Sequence, residues 1–175
     1  MKIILEQIGS INDNIMETLR SNLSAFFGCL VEIRQNTKQI DVFYVPDRNQ
    51  YSSSMLLSSL ENAPGEGEKE ARAVGITDID LYTRGLNFVF GQASPATGTA
   101  IVSLCRLREE FYGSTPDEVL LLKRALKEIV HELGHTFGLA HCTNPGCIMH
   151  FSGCLADTDR KELLFCPECR PMLGM

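Results

Sequence analysis

The 175-residue chain lacks any long apolar run and any excess of basic charge. No stretch approaches the roughly 18–20 apolar residues that span a bilayer. The apolar start is interrupted by Glu6 and Gln7, and no small-residue cleavage site follows it. Lysine and arginine number 16 against 22 acidic residues, so the basic surface of a nucleic-acid-binding protein is excluded. These absences predict a cytoplasmic protein with no membrane and no nucleic-acid partner.

Internal repeats and low-complexity tracts are also missing from the sequence. Apolar residues make up 44% of the chain and charged residues 22%, which is typical of globular proteins. The length suffices for one domain with a buried core and is short for two domains of ordinary size. We therefore expect a single domain over residues 1–175.

Strand and helix patterns alternate along the chain. Short apolar runs predict strands at 2–8, 29–34, 40–45, 71–81, 86–93 and 99–107, the last two as neighbours. Helical spacing predicts helices at 12–27, 51–60 and from Ser114 or Thr115 onward, with an exposed loop at 62–70. Gly28 and Gly138 are placed to end the first and last helices in the left-handed conformation. The predicted class is α+β with a mixed, α/β-type sheet.

Residues 131–141 read HELGHTFGLAH, a pattern of metal ligands around one carboxylate. His131 and His135 are four apart on a helix, so both imidazoles can reach one zinc ion, and Glu132 can reach a water on that ion. Gly138 reverses the chain and can return His141 as a third ligand. A bare HExxH pattern also occurs by chance on ordinary helices, but the extension to His141 makes chance a poor explanation.

Three protein ligands leave one coordination position for water, whereas a structural zinc is normally closed by four. The pattern therefore predicts a catalytic zinc, with Glu132 as the base that takes a proton from the attacking water during amide hydrolysis.

Seven cysteines are present: Cys29, Cys105, Cys142, Cys147, Cys154, Cys166 and Cys169. The last five of them follow residue 140. A CxxC pair at 166 and 169 and a second pair at 142 and 147 supply enough thiolates for a closed, structural zinc site. A disulfide, or a set in which Cys154 replaces one upstream ligand, is the alternative. Cys29 and Cys105 lie in predicted strands and are assigned no function.

HELGHTFGLAH followed by Cys142 and Met149 resembles the metzincin metallopeptidases, which carry an extended zinc motif and a methionine turn below the metal. With the later CxxC pair, the sequence is similar to the archaemetzincins in particular. That resemblance implies a second zinc held by four cysteines, and Cys154 is not one of them. The four are Cys142, Cys147, Cys166 and Cys169.

The resemblance also implies a fold: an N-terminal lobe, here 1–138, with a twisted mixed sheet and two main helices, and a small zinc-stapled C-terminal lobe, 139–175. A substrate cleft would separate the lobes, with an edge strand at Leu86 to Ala93 pairing with an extended peptide. Phe151 occupies the position at which some metzincins place a tyrosine ligand. The metal would then stabilise transition-state charge, with His150 either contributing or simply exposed.

The sequence thus predicts a zinc-dependent metallopeptidase with two zinc ions per chain and a peptide or protein substrate. The alternative is a zinc-binding module that keeps the fold with little turnover, but an intact Glu132 beside an open zinc position favours the enzyme. An aminopeptidase would need an acidic anchor for the free amino group. Four acidic residues are candidates for that role, but we expect them to be solvated surface charges instead: Asp78, Asp80, Glu109 and Glu110.

Overall fold

The computed structural model describes residues 1–37, 39–60 and 71–173. Its strands are β1 (Lys2–Ile8), β2 (Leu30–Asn36), β3 (Tyr44–Val45), β4 (Gln50–Ser52), β5 (Ala71–Thr77), β6 (Leu81–Tyr82), β7 (Gly91–Ser94) and β8 (Thr99–Ser103). Its α-helices are α1 (Asp13–Phe27), α2 (Ser53–Ser59), α3 (Glu118–Thr136) and α4 (Leu155–Arg160). The mixed α/β architecture agrees with the predicted class.

The main sheet has five strands in the order β2-β1-β5-β8-β7. The first four are parallel, and β7 is an antiparallel strand at the edge. The predicted pairing of the last two strands is confirmed, since Gly91 to Ser94 pair with Val102 to Thr99. A smaller sheet joins β3, β4 and β6. The inner parallel strands β1, β5 and β8 are mostly buried because both faces of the sheet are covered there.

Alternate residues of the central strands enter cores on opposite faces of the sheet. On β8, Ala100 and Val102 join the large cluster that contains Leu23 of α1 and Ile129 of α3. Ile101 between them joins the smaller cluster with the leucines of α2. The two long helices thus cover one face and α2 covers the other. This packing holds α3 against β7 and β8.

Both ends of α1 are capped, and the cap at Gly28 is the one predicted from the sequence. The Asn12 side chain accepts a hydrogen bond from the Asn14 amide at 2.8 Å, and Gly28 ends the helix with φ 61°. The start of α3 was predicted wrongly. Its N-cap is Asp117, whose carboxylate accepts from the Leu120 amide at 2.9 Å, rather than Ser114 or Thr115.

Two predicted strands are largely wrong. In the 40–45 segment, Asp41–Phe43 forms a 3-10 turn with Val42 exposed, and only Tyr44–Val45 pairs. In the 86–93 segment only the end at Gly91–Ser94 joins the sheet, since residues 86–90 bend away to wall a cleft. The apolar side chains that suggested strands there serve a turn and a cleft wall instead.

Three other predictions hold with shifted boundaries. The 71–81 strand ends at Thr77, and β6 pairs separately with β4. The 99–107 strand ends at Ser103, whose hydroxyl accepts from the Cys105 amide at 3.1 Å and starts a 3-10 turn. The 51–60 helix is confirmed over Ser53–Ser59, and the predicted loop at 62–70 lies outside the described residues.

After Gly138 the chain forms loops, α4 and a 3-10 turn at Arg170–Leu173. Ile148, Met149 and Cys166 of this region are buried in the same cluster as α3. The C-terminal segment therefore packs directly under the end of that helix. Among the described helices, none combines the length and apolar character of a membrane span.

Candidate active site

His131 and His135 lie on the last turns of α3, and backbone carbonyls orient both rings. Nδ1 of His131 is 2.8 Å from the Ile148 carbonyl oxygen, and Nδ1 of His135 is 2.7 Å from that of Leu139. Since a carbonyl only accepts, both Nδ1 atoms carry the proton. The two unprotonated Nε2 atoms lie 3.1 Å apart. Two lone pairs aimed at one point fit a shared metal ion.

His141 completes a triangle of imidazoles. Gly138, with φ 90°, turns the chain after α3 and brings His141 back. Its ring centroid lies 5.3 Å from that of His131 and 4.8 Å from that of His135. The three ligand atoms are within 4.8 Å of one another, and burial lowers the pKa of each histidine. Neutral imidazoles converging on one point are the donor set that zinc prefers.

Glu132 is 5% exposed and lies beside this triangle. Burial raises the pKa of its carboxyl to about 8, and the nearby charge of Glu128 adds to the effect. Gly91 of β7 lies against it, because a Cβ at that position would be 2.7 Å from Glu132 Oε1. Gly91 was not identified from the sequence, although a glycine within a predicted strand is a signal for close approach.

Met149 packs beneath the histidines, against Gly134. A Cβ built at Gly134 would overlap the Met149 sulfur and come within 3.3 Å of Phe165. Met149 was identified from the sequence and Gly134 was not, although a glycine inside a predicted helix is a signal for close packing. This close packing sets the distance between α3 and the segment that returns below it.

Four cysteine sulfurs form a second group, all within 4.8 Å of one another: Cys142, Cys147, Cys166 and Cys169. Sγ of Cys142 and Cys166 are 3.8 Å apart, well beyond the roughly 2.05 Å of a disulfide. The amides of Met149 and Cys166 point at Cys147 Sγ from 3.5 and 3.4 Å, as donors that stabilise a thiolate. Four converging sulfurs fit a closed tetrahedral zinc site.

The three other cysteines lie outside this group. Cys154 is exposed and begins α4, with its sulfur 3.3 Å from an Asp157 oxygen. Cys29 and Cys105 are half-buried.

A single short segment connects the two candidate metal centres. Cys142 directly follows His141, and its amide donates to the Met149 carbonyl at 2.9 Å. His150 Nδ1 is 2.9 Å from the Cys142 carbonyl oxygen, so this ring braces the same loop. Ile148, which orients His131, lies between Cys147 and Met149. His150 therefore contacts the loop, and it is not among the residues that line the cleft.

A cleft of about 510 Å³ opens over the histidine triangle. Residues 86–90 and β7 form one wall, α3 forms another, and residues 151–153 close one end. One side of β7 pairs with β8, and β7 is the edge of the sheet on its other side. The candidate edge strand for an extended peptide is therefore Gly91–Ser94, shorter than predicted.

The four acidic candidates for binding a substrate amino group do not line the cleft. Each instead pairs with an arginine: Asp80 with Arg106, Asp78 and Glu110 with Arg108, and Glu109 with Arg124. These partly buried ion pairs hold the segment between β8 and α3 in place.

Comparisons with known proteins agree on one family. The model of peptidase family M54 matches residues 10–174. The archaemetzincin of Pyrococcus furiosus is 43% identical over 172 residues, covering 95% of this chain and 89% of its own. The crystal structure of a zinc-dependent peptidase from Methanocorpusculum labreanum matches with a TM-score of 0.90 and 33% identity, over 98% of this chain and 99% of its own.

A malonate complex of the Archaeoglobus fulgidus archaemetzincin is also similar, with a TM-score of 0.83 and 35% identity over 98% of this chain and 99% of that one. Sequence, fold and the two ligand clusters thus lead to the same assignment. The chain belongs to peptidase family M54 and is a zinc metallopeptidase of the archaemetzincin type.

Proposed function

We propose that this protein hydrolyses peptide bonds by direct attack of water, with Glu132 as the general base and a catalytic zinc on His131, His135 and His141. The observation that carries the proposal is the convergence of three imidazoles beside a buried carboxylate at the base of one cleft. An arrangement for binding alone has no need of that carboxylate.

The donor set is suited to zinc at both centres. The carbonyls of Ile148 and Leu139 fix the histidine tautomers, so that Nε2 of each ring is free to bind metal. The four cysteines would hold a second, structural zinc. Among the described residues no further protein donor joins the three histidines, so one position would stay open for water or substrate.

Each step of hydrolysis is assigned to a group of this chain. Zinc, when bound, supplies Lewis acidity that lowers the pKa of a water and polarises the scissile carbonyl. Glu132 accepts a proton from the attacking water and passes it to the leaving amine. Gly91 leaves room for the Glu132 side chain, and the free edge of β7 aligns the substrate backbone by hydrogen bonding.

Replacing the proposed base tests this mechanism. In a peptide-library digest, Glu132→Gln should cleave at least about 100-fold more slowly than wild type at equal zinc content, because proton transfer is worth roughly 10²–10⁴-fold. Glu118→Gln, the same change at an exposed position on the same helix, should leave the rate unchanged.

An unchanged cleavage pattern and rate in Glu132→Gln would refute the role of this carboxylate. No cleavage by wild type with a full zinc complement would favour the alternative, a zinc-binding module with little turnover.

A further inference from the structure

We propose that Glu128 makes the cleft selective for peptides with a glutamine side chain next to the scissile bond; this inference rests on the proposed hydrolytic function. Glu128 lies on α3 one turn before Glu132 and lines the same cleft. It is 2% exposed, and the proposed reaction steps do not use it. A carboxylate buried in a substrate cleft needs partners, and those partners determine what else it can bind.

Within the described residues, the hydrogen bonds to the Glu128 carboxylate and its ion-pair distance to Lys161 involve one oxygen. Oε1 accepts a hydrogen bond from Thr158 Oγ1 at 2.8 Å, and Ser152 Oγ lies 3.4 Å from it. Nζ of Lys161 is 2.9 Å from the same atom. In that part of the chain, Oε2 has no hydrogen-bond partner. The carboxylate is therefore anchored through Oε1 and keeps a second acceptor for a ligand.

The charge of Lys161 determines which substrate groups can bind at Oε2 of Glu128. It is 1% exposed, and neither it nor Thr158 lines the cleft. The ammonium offsets the carboxylate, so the pair carries no net charge. A lysine or arginine of the substrate would add an uncompensated cation beside Lys161, and a glutamate would place a carboxylate against Glu128.

An uncharged N–H donor avoids both the uncompensated cation beside Lys161 and the repulsion between two carboxylates at Glu128. The carboxamide of glutamine can donate to Oε2 and leave the pair neutral, whereas an aliphatic side chain would leave that oxygen without a partner when water is displaced. Ser152 also lines the cleft, and its hydroxyl is a neighbour of the same carboxylate.

The distance along α3 favours a side chain of this length. Glu128 precedes Glu132 by four residues, which is about 6 Å along a helix axis. A side chain flanking a carbonyl held at Glu132 must extend along that turn to reach Oε2. Glutamine does so, and asparagine and serine are shorter.

The experiment measures binding, so that it does not depend on turnover. The zinc-loaded Glu132→Gln protein is used to select from a random peptide library. Three peptides of the enriched sequence, with glutamine, methionine or glutamate at the selected position, are then titrated by calorimetry. Glutamine should be enriched, and its peptide should bind about tenfold more tightly than the methionine peptide, the value of one hydrogen bond to a charged group.

A second variant reverses the chemistry of the site. Glu128→Gln, in the same background, places an amide donor where Oε2 was, so the preference should change from the glutamine to the glutamate peptide. Glu118→Gln is the matched control and should keep the glutamine preference. Thermal unfolding and zinc content show whether the variant has folded.

Equal affinities of the glutamine and methionine peptides for the Glu128-containing protein would overturn the proposal, with or without a folded Glu128→Gln variant. Wild type that selects glutamine yet cleaves no peptide would refute the hydrolytic function and leave the selectivity intact. Cleavage of peptides without a preference for glutamine would refute the selectivity and leave the hydrolytic function intact.

Discussion

At the scale of single residues, the site depends on two glycines as much as on its ligands. Gly91 allows Glu132 to lie against β7, and Gly134 allows the Met149 sulfur to pack between the turns that carry His131 and His135. Neither glycine has a positive φ, so both are required for space rather than for backbone conformation.

Gly134→Ala should destabilise the protein despite the higher helix propensity of alanine. Its Cβ would overlap the Met149 sulfur, and overpacking of this kind costs about 1–3 kcal/mol. Thermal unfolding measures the loss. Gly146→Ala, where the nearest atom to a new Cβ is 3.5 Å away, is the control and should have little effect. Equal stability of the two variants would show that Met149 does not confine this helix.

Site residues that are close in sequence could be predicted, and those brought together only by tertiary packing could not. His131, Glu132, His135 and His141 are close in sequence, so their spacing on a helix and turn predicted the cluster. Gly91 meets Glu132 across 41 positions, and Lys161 meets Glu128 across 33. Only the packing of β7 and α4 against α3 brings those groups together, and no local pattern encodes it.

At the scale of elements, α3 is positioned at both ends. Asp117 caps its first turn, and the carbonyls of Ile148 and Leu139 bind the histidines of its last turns. The helix start was predicted wrongly because three capping residue types precede the helix, and tertiary structure selects among them.

Asp117→Ala should reduce the free energy of unfolding by about 1 kcal/mol, because the Leu120 amide loses its partner. Ser114→Ala should have no comparable effect, since Ser114 lies before the cap in an exposed segment. Denaturant unfolding compares the two. A larger loss in Ser114→Ala would place the cap where the sequence first suggested.

The loop from His141 to His150 joins the two proposed metal centres, so loss of one should affect the other. Cys166→Ser should lose the structural zinc and also weaken zinc binding at the histidines, because Cys147 and Ile148 are adjacent and Ile148 orients His131. That second effect should be about 10–100-fold in affinity.

Competition with a chelator measures zinc affinity at the histidines. Cys154→Ser is the matched control, because its sulfur lies outside the cluster, and it should keep both ions. Unchanged affinity at the histidines in Cys166→Ser would mean that the two centres are independent.

At the scale of the whole molecule, β7 and α3 form two walls of the cleft, while the segment after Gly138 contains His141, Met149 and the cysteine cluster. The pairing of the last two strands, the two long helices and the ligand clusters follow patterns in the sequence, whereas the order of the five strands was not predicted. The cleft wall at residues 86–90 could not be predicted, because its apolar run has the pattern of a strand and only the tertiary structure places it outside the sheet.

Zinc content and peptide hydrolysis, measured on the same samples of wild type and His135→Ala, decide whether the three histidines form a catalytic zinc site. Wild type should bind two zinc ions and cleave peptides. His135→Ala should bind one zinc ion, remain folded because the cysteine site is intact, and no longer hydrolyse peptides. If His135→Ala kept two zinc ions and the wild-type rate, the three histidines would not form the catalytic centre.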